Sequence, residues 1–170
     1  MDGKNQGVMS ASLKLLVPLL LALGGAAPVA AQTGTSGMVL DSVVELEKRE
    51  TAPDGTVTLR YTTPDVVIPG DRARITLNYH NRGRVPFTNL RLNNPIPAGL
   101  QFEGSESLTG FSLSVDGGTV WGQLADLKVK DADGSERAAQ ATDVTHVRWV
   151  FTEPVPVGGR GSVTFFTRVR

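Results

Sequence analysis

The segment RARITLNYH, residues 72–80, alternates without a break: Ala73, Ile75, Leu77 and Tyr79 fall on one side, Arg72, Arg74, Thr76, Asn78 and His80 on the other. Successive side chains of a strand point to opposite faces, so this pattern specifies a strand with one face in an apolar core and the other in water. Such half-buried strands belong to antiparallel sheets, because parallel ones are covered on both faces. The same period returns in GSVTFFTRVR, with Val163, Phe165, Thr167 and Val169 on one face, and in HVRWVF, which groups Val147, Trp149 and Phe151.

Weaker strands are expected at 39–48, 56–61, 88–92 and 108–115, and in parts of 120–129. The connectors between them carry turn chemistry: Pro53-Asp54-Gly55, Ile68-Pro69-Gly70-Asp71, Asn81-Arg82-Gly83, Asp116-Gly117-Gly118, Asp131-Ala132-Asp133-Gly134 and Val157-Gly158-Gly159. Glycine permits positive φ, proline presets φ, and Asp or Asn bonds its own backbone. A weak helical pattern at 124–130 is the one exception to the strand-and-turn rhythm. Many short strands punctuated this way imply an all-β sandwich.

The first 31 residues are set apart by composition. Lys4 and Lys14 precede and open an apolar run from Leu15 to Ala27, about 13 residues, and Val29-Ala30-Ala31 places small residues where a signal peptidase reads them. Cleavage is expected after Ala31. An uncleaved anchor is the alternative, but the run falls short of the roughly 20 residues that span hydrocarbon, and Pro18 interrupts it. Residues 32–37, QTGTSG, read as a flexible stub, and 38–170 as a single domain of ordinary size.

Removing Lys4, Lys14 and Asp2 from 17 basic and 17 acidic residues leaves a net charge near −1, with both signs interspersed. Such a balance supplies no electrostatic drive toward nucleic acid or an anionic bilayer, so neither is an expected partner. No stable membrane insertion is expected once the leader is removed. Cysteine is absent, so an exported chain of this kind relies on packing rather than on disulfides.

The stretch VVIPGDRARITLNYHNRGRVPFTNLRLNNPIPAGLQF resembles the conserved repeat domain of bacterial and archaeal envelope proteins, a family of unknown function with an immunoglobulin-like sandwich. The elements that carry the resemblance are Pro69-Gly70-Asp71 opening a strand, Asn81-Arg82-Gly83 ending it, and the corner Asn94-Pro95-Ile96-Pro97-Ala98-Gly99-Leu100. SVDGG around Asp116, DVTHVRWVF and the 156–161 turn are similar to one branch of that family. Asn94 stands where many members carry Asp, and one copy is present where many carry tandem arrays. The resemblance implies an immunoglobulin-like antiparallel β-sandwich in the cell envelope.

Within NLRLNNPIPAGLQF, Leu90 and Leu92 are expected to end one strand on the core side. Pro95 and Pro97 withhold the donors that would continue a ladder, and Gly99 lets the chain turn before Leu100 and Phe102 enter the core. This corner is a fold marker rather than a catalytic loop, and substitution of Gly99 is expected to damage folding first.

Candidate chemistry is sparse. His80 and His146 fall opposite the apolar positions of their strands, which suits solvent-facing or cross-strand residues better than a base or ligand. No Gly-x-Ser-x-Gly elbow occurs. Asp126, Asp131 and Asp133 lack the further carboxylates and the Glu that complete a calcium loop, and Asp133-Gly134 is a hairpin signal. No catalytic residue, cofactor or metal is therefore expected. Trp149, Phe151, Phe165 and Tyr79 are expected at the centre of the core. Trp121, between a Gly-rich turn and Gly122, is a candidate partner contact, with core or loop packing as the alternative.

The function expected from these features is that of a noncatalytic exported envelope module, structural or protein-binding, with the 124–143 connection as its preferred contact. The alternative is a small ligand-binding or accessory domain for glycan, calcium or an enzyme subunit, or a subunit that self-assembles by strand addition.

Overall fold

The computed structural model describes residues 37–170, so the leader lies outside the described residues. Ten strands follow in order: β1 Met38–Thr51, β2 Val57–Thr62, β3 Arg72–Asn81, β4 Arg91–Pro95, β5 Leu100–Ser105, β6 Phe111–Ser114, β7 Lys128–Lys130, β8 Glu136–Ala138, β9 His146–Val150 and β10 Arg160–Val169. Single 3-10 turns occupy Leu124–Asp126 and Ala141–Asp143. Among the described residues there is no α-helix; the weak helical pattern at 124–130 resolves into the first of those turns followed by β7.

Every strand pair is antiparallel. A five-stranded sheet has the order β2-β1-β3-β10-β5, a three-stranded sheet the order β4-β9-β6, and β7 pairs with β8 alone. The protein is all-β, as the alternation requires. One core is shared by both larger sheets: Ile75 and Leu77 of β3, Val163 and Phe165 of β10 and Phe102 of β5 meet Leu92 of β4, Leu113 of β6 and Val147 and Trp149 of β9.

Trp149 is fully buried and sits between the layers, its ring centroid 5.1 Å from Phe111 and 5.9 Å from Phe165. Its indole Nε1 donates to the Ser107 carbonyl at 2.7 Å, which satisfies the one polar atom that burial would otherwise penalise. Trp149 and Phe165 are at the centre as expected, whereas Tyr79 and Phe151, edge-on at 5.0 Å, are only partly buried and pack with Phe111 against that core. Phe166 points the other way yet is buried, because the Arg72 guanidinium lies 4.0 Å over its ring.

Two expectations for the corner are corrected. Pro95 does not stop the ladder: it pairs with His146 inside β4, and Ile96 N continues by donating to Thr145 O at 2.7 Å. In an antiparallel pair alternate residues donate to the neighbour, and β4 is an edge strand, so Pro95 lacks a donor only where no strand would receive it. Gly99 stands in the turn, without positive φ, and Leu100 N closes that turn by donating to Pro97 O at 2.8 Å. The left-handed residue of this stretch is instead Asn89, at φ 57, which turns the chain ahead of β4 and displaces that strand from 88–92 to Arg91–Pro95.

Glycine is required most strictly where β6 begins. Gly110 has φ +70, and a Cβ there would lie 2.1 Å from the Val150 carbonyl oxygen. Gly55 has φ +84 but nothing within 4 Å of its Cβ position. Gly55→Ala should therefore cost the left-handed penalty alone, about 1–2 kcal/mol, whereas Gly110→Ala should cost clearly more because backbone must move. Urea unfolding of the two variants checks this; equal losses would show that the approach at Gly110 yields easily.

Candidate functional site

The residues marked as turn signatures prove to be joints between strands. Ile68-Pro69-Gly70-Asp71 is closed by Asp71 N to Ile68 O at 3.1 Å, with Pro69 fixing the second position and Gly70 at φ 92 taking the third. Asp71 Oδ2 accepts from Ile68 N at 3.0 Å, and Gly70 N reaches Val169 O at 2.8 Å, so the turn also fastens the end of β10.

Asn81 is wholly buried and fully engaged. Its amide donates to Val85 O at 2.9 Å and Val155 O at 3.0 Å, its Oδ1 accepts from Gly83 N at 2.9 Å, and its backbone bonds Gly158 and Gly159. One side chain thus ties the loop after β3 to the loop before β10. Gly83 matters through proximity, since a Cβ on the neighbouring Gly37 would lie 2.5 Å from its Cα.

Asn94 is buried beside Leu92. Its amide donates to Pro95 O at 2.8 Å, while its Oδ1 has no partner among the described residues. Asn94 lines a small pocket with Leu40, Leu77 and Leu92, and Pro95, Pro97 and Gly99 are not among the residues around that pocket. The expected fold markers therefore do not converge on one chemical site.

Trp121 is half-buried and packs on the outer face of the three-stranded sheet. Its Nε1 donates to Gly118 O at 2.8 Å, the Arg148 guanidinium lies 4.1 Å over its ring, and His146 meets it edge-on at 6.3 Å. Arg148 also donates to Ser112 at 3.3 Å. The preceding turn is organised by Asp116, which accepts from Ser114, Thr119 and Val120. Those bonds, the one from the Val120 backbone first, hold its carboxyl below the ordinary range.

Two groupings emerge that residue-by-residue inspection does not find. The first is the β7–β8 hairpin. Its turn is closed by Gly134 N to Asp131 O at 2.9 Å, and Asp133 accepts from the Ser135 backbone and hydroxyl, which is the turn role expected of that pair. Arg137 makes a two-pronged bond to Asp143, at 2.7 and 2.8 Å, and a third contact to Asp131 at 3.3 Å. Asp143 Oδ2 also accepts from Gln140 N at 2.8 Å. Leu127 and Val144, both buried, root the hairpin in the core, while all but Val129 of its strand residues are exposed.

The second grouping lies on the outer face of the five-stranded sheet. At one end of that face the charges are paired: Arg74 with Glu45 at 2.7 Å, Arg72 with Glu47 and Glu103, and Arg168 with Glu103. Glu103 reaches two arginines because it is the extra residue where β5 slips register against β10. At the other end, His80 stands between Arg82 and Arg160. The three residues line an open cleft of about 440 Å3 together with Asp41, Asn78 and Ser162.

Among the described residues no cluster of three or more His, Asp or Glu side chains is placed to hold a metal ion. No described helix is long and apolar enough to cross a membrane. Comparison with models of protein families, with curated proteins and with solved structures returns no match.

The Arg137 bond, aided by the Gln140 N–H, lowers the Asp143 pKa to about 2 against burial that opposes it. A depressed carboxyl stabilises the structure above its ordinary value of 3.8 and loses that contribution as pH falls toward about 2. Residues 128–138 should therefore loosen on acidification through that window. Asp143→Asn should remove the dependence; carbon NMR of the Asp143 carboxyl with nitrogen NMR of Arg137 reads both.

Proposed function

We propose that the chain is a noncatalytic, exported cell-envelope module of the immunoglobulin-like sandwich type that contacts another protein through its β7–β8 hairpin. Supporting the sandwich assignment are the two antiparallel sheets sharing one core, the buried tryptophan on the central strand of the smaller sheet, and the resemblance to the envelope repeat family. Supporting export is the N-terminal pattern of charge, apolar run and small residues.

The hairpin carries the proposal. Ordering an exposed ribbon costs about 1–2 kcal/mol of backbone entropy per residue, and burial of Val129 alone does not offset it. The β7–β8 ladder and the buried Leu127 and Val144 at its base hold the ribbon, and Arg137 adds exposed ion pairs to Asp131 and Asp143. A rigid, charged, solvent-facing projection from a packed scaffold is the arrangement by which loops on such sandwiches supply specificity.

A second arrangement is favoured by the sheet edge. β2 covers only Leu46 to Thr51 of β1, so residues 38–45 have β3 on one side and, among the described residues, no strand on the other. An open edge of this length suits strand addition between copies.

A photo-crosslinker at Ala132, exposed in the hairpin turn, should give one discrete adduct with a different protein in intact cells. Lys128→Glu with Lys130→Glu should abolish it without changing the melting temperature. An adduct that survives the charge reversal, or none at all, overturns the hairpin assignment. Strand addition predicts a mass that rises with concentration in light scattering, and a constant monomer mass removes it.

A further inference from the structure

The outer face of the five-stranded sheet treats its arginines in two ways. Arg72, Arg74 and Arg168 each have a carboxylate partner, whereas Arg82 and Arg160 have none within 4.0 Å among the described residues. Both turn instead toward one imidazole. Arg82 Nε lies 3.1 Å from His80 Nδ1, and Arg160 Nε lies 3.3 Å from His80 Nε2.

That arrangement is incomplete as chemistry. A neutral imidazole has one acceptor nitrogen and one N–H, so it can accept from only one of the two guanidiniums. The other arginine directs an N–H at a ring N–H, and protonating the ring would leave both without an acceptor. Two like charges flank a single ring, and no described carboxylate pairs with either, so each guanidinium keeps N–H groups that an external anion can accept from.

The rest of the cleft narrows the ligand class. Asp41, Asn78 and Ser162 line the same surface, and Asn78 Nδ2 donates to Asp41 Oδ2 at 2.9 Å. A carboxylate on that wall disfavours a ligand charged along its whole length but accepts hydrogen bonds from hydroxyl groups. Ser162 and Asn78 add groups that both donate and accept. We propose that this cleft binds an anionic sugar, its acidic group held between Arg82 and Arg160 and its hydroxyls bonded to Asp41, Asn78 and Ser162. This site lies on a different face from Trp121 and does not depend on the β7–β8 hairpin.

His80 gives the site a second signature. Desolvation, then the charges of Arg160 and Arg82, lower its pKa from 6.5. The charged groups around it are those two arginines and Asp41 on β1. A bound anion offsets the arginine charges, so ligand and proton favour each other on the same site.

The test is an NMR titration of the full chain with glucuronate, glucose 6-phosphate, glucose and inorganic phosphate. Expected are saturable shifts at Asn78, His80 and Ser162 with an acidic sugar, binding at least about tenfold weaker for inorganic phosphate, and no binding of glucose. The tighter of the two acidic sugars identifies carboxylate or phosphate as the anchoring group. Affinity for glucuronate, which stays ionised throughout, should rise from about pH 7.5 to about pH 5, and the His80 midpoint should rise with ligand present. Arg82→Gln with Arg160→Gln should weaken binding at least about tenfold. Arg91→Gln should not weaken it, and Arg82→Lys with Arg160→Lys should give an intermediate loss that keeps the proposal testable if the glutamine variant fails to fold. No saturable shift with either acidic sugar, equal binding of inorganic phosphate or glucose, or undiminished affinity in both double variants overturns the assignment.

Discussion

The structure depends on one packing contact between layers, the insertion of Trp149 between Phe111 on its own sheet and Phe165 on the other. With no cysteine in the sequence, no disulfide joins the two sheets, and their inner faces are held chiefly by burial. Trp149 is suited to this position because it is large enough to reach across and because Ser107 takes its single polar proton. That bond ties the link between β5 and β6 to β9. The strands of both layers, and the chain that passes between them, are thereby referenced to one side chain.

Around this centre the polar groups fall into two kinds. Asn81 has a partner for both its amide protons and its oxygen, and it converts two loops into one rigid end of the molecule. Asp71 and Asp116 likewise satisfy backbone donors in their own turns. His80, Arg82 and Arg160 are different, for their geometry offers more donors than acceptors. A fully satisfied polar cluster stabilises a shape, whereas exposed donors without a protein acceptor stay free to bond water or a ligand. This distinction separates structural asparagines and aspartates from the candidate ligand cleft, although both occur in similar loop sequences.

Alternation made the fold class legible: the inward residues expected for β3, β9 and β10 are the inward residues found, and the turn residues at 68–71 and 131–134 close turns. Conformation at single positions was less legible. Pro95 reads as a strand breaker because the sequence does not say that its strand is an edge, and nothing in the sequence separates Asn89, at positive φ, from the other asparagines. Trp121 could not be assigned a neighbour, since Arg148 meets it only once β9 is placed beside β6. The ligand cleft was hidden for the same reason. His80 and Arg160 are distant in sequence and become neighbours through the register of β3 with β10. Arg137 and Asp143 are only six residues apart, but their pairing needed the hairpin and the second 3-10 turn to be in place.

The register of the large sheet has a mechanical meaning. β1 and β10 both flank β3, with Met38 opposite Asn81 and Arg160 opposite His80, so β1 and β10 run in the same direction. Met38 and Val169 therefore lie at opposite ends of neighbouring ladders. Tension applied between them acts along the strands, across hydrogen bonds that run perpendicular to it. Such a load shears many bonds at once instead of unzipping them one after another. The domain is thus stiffest along the axis that joins its first strand to its last.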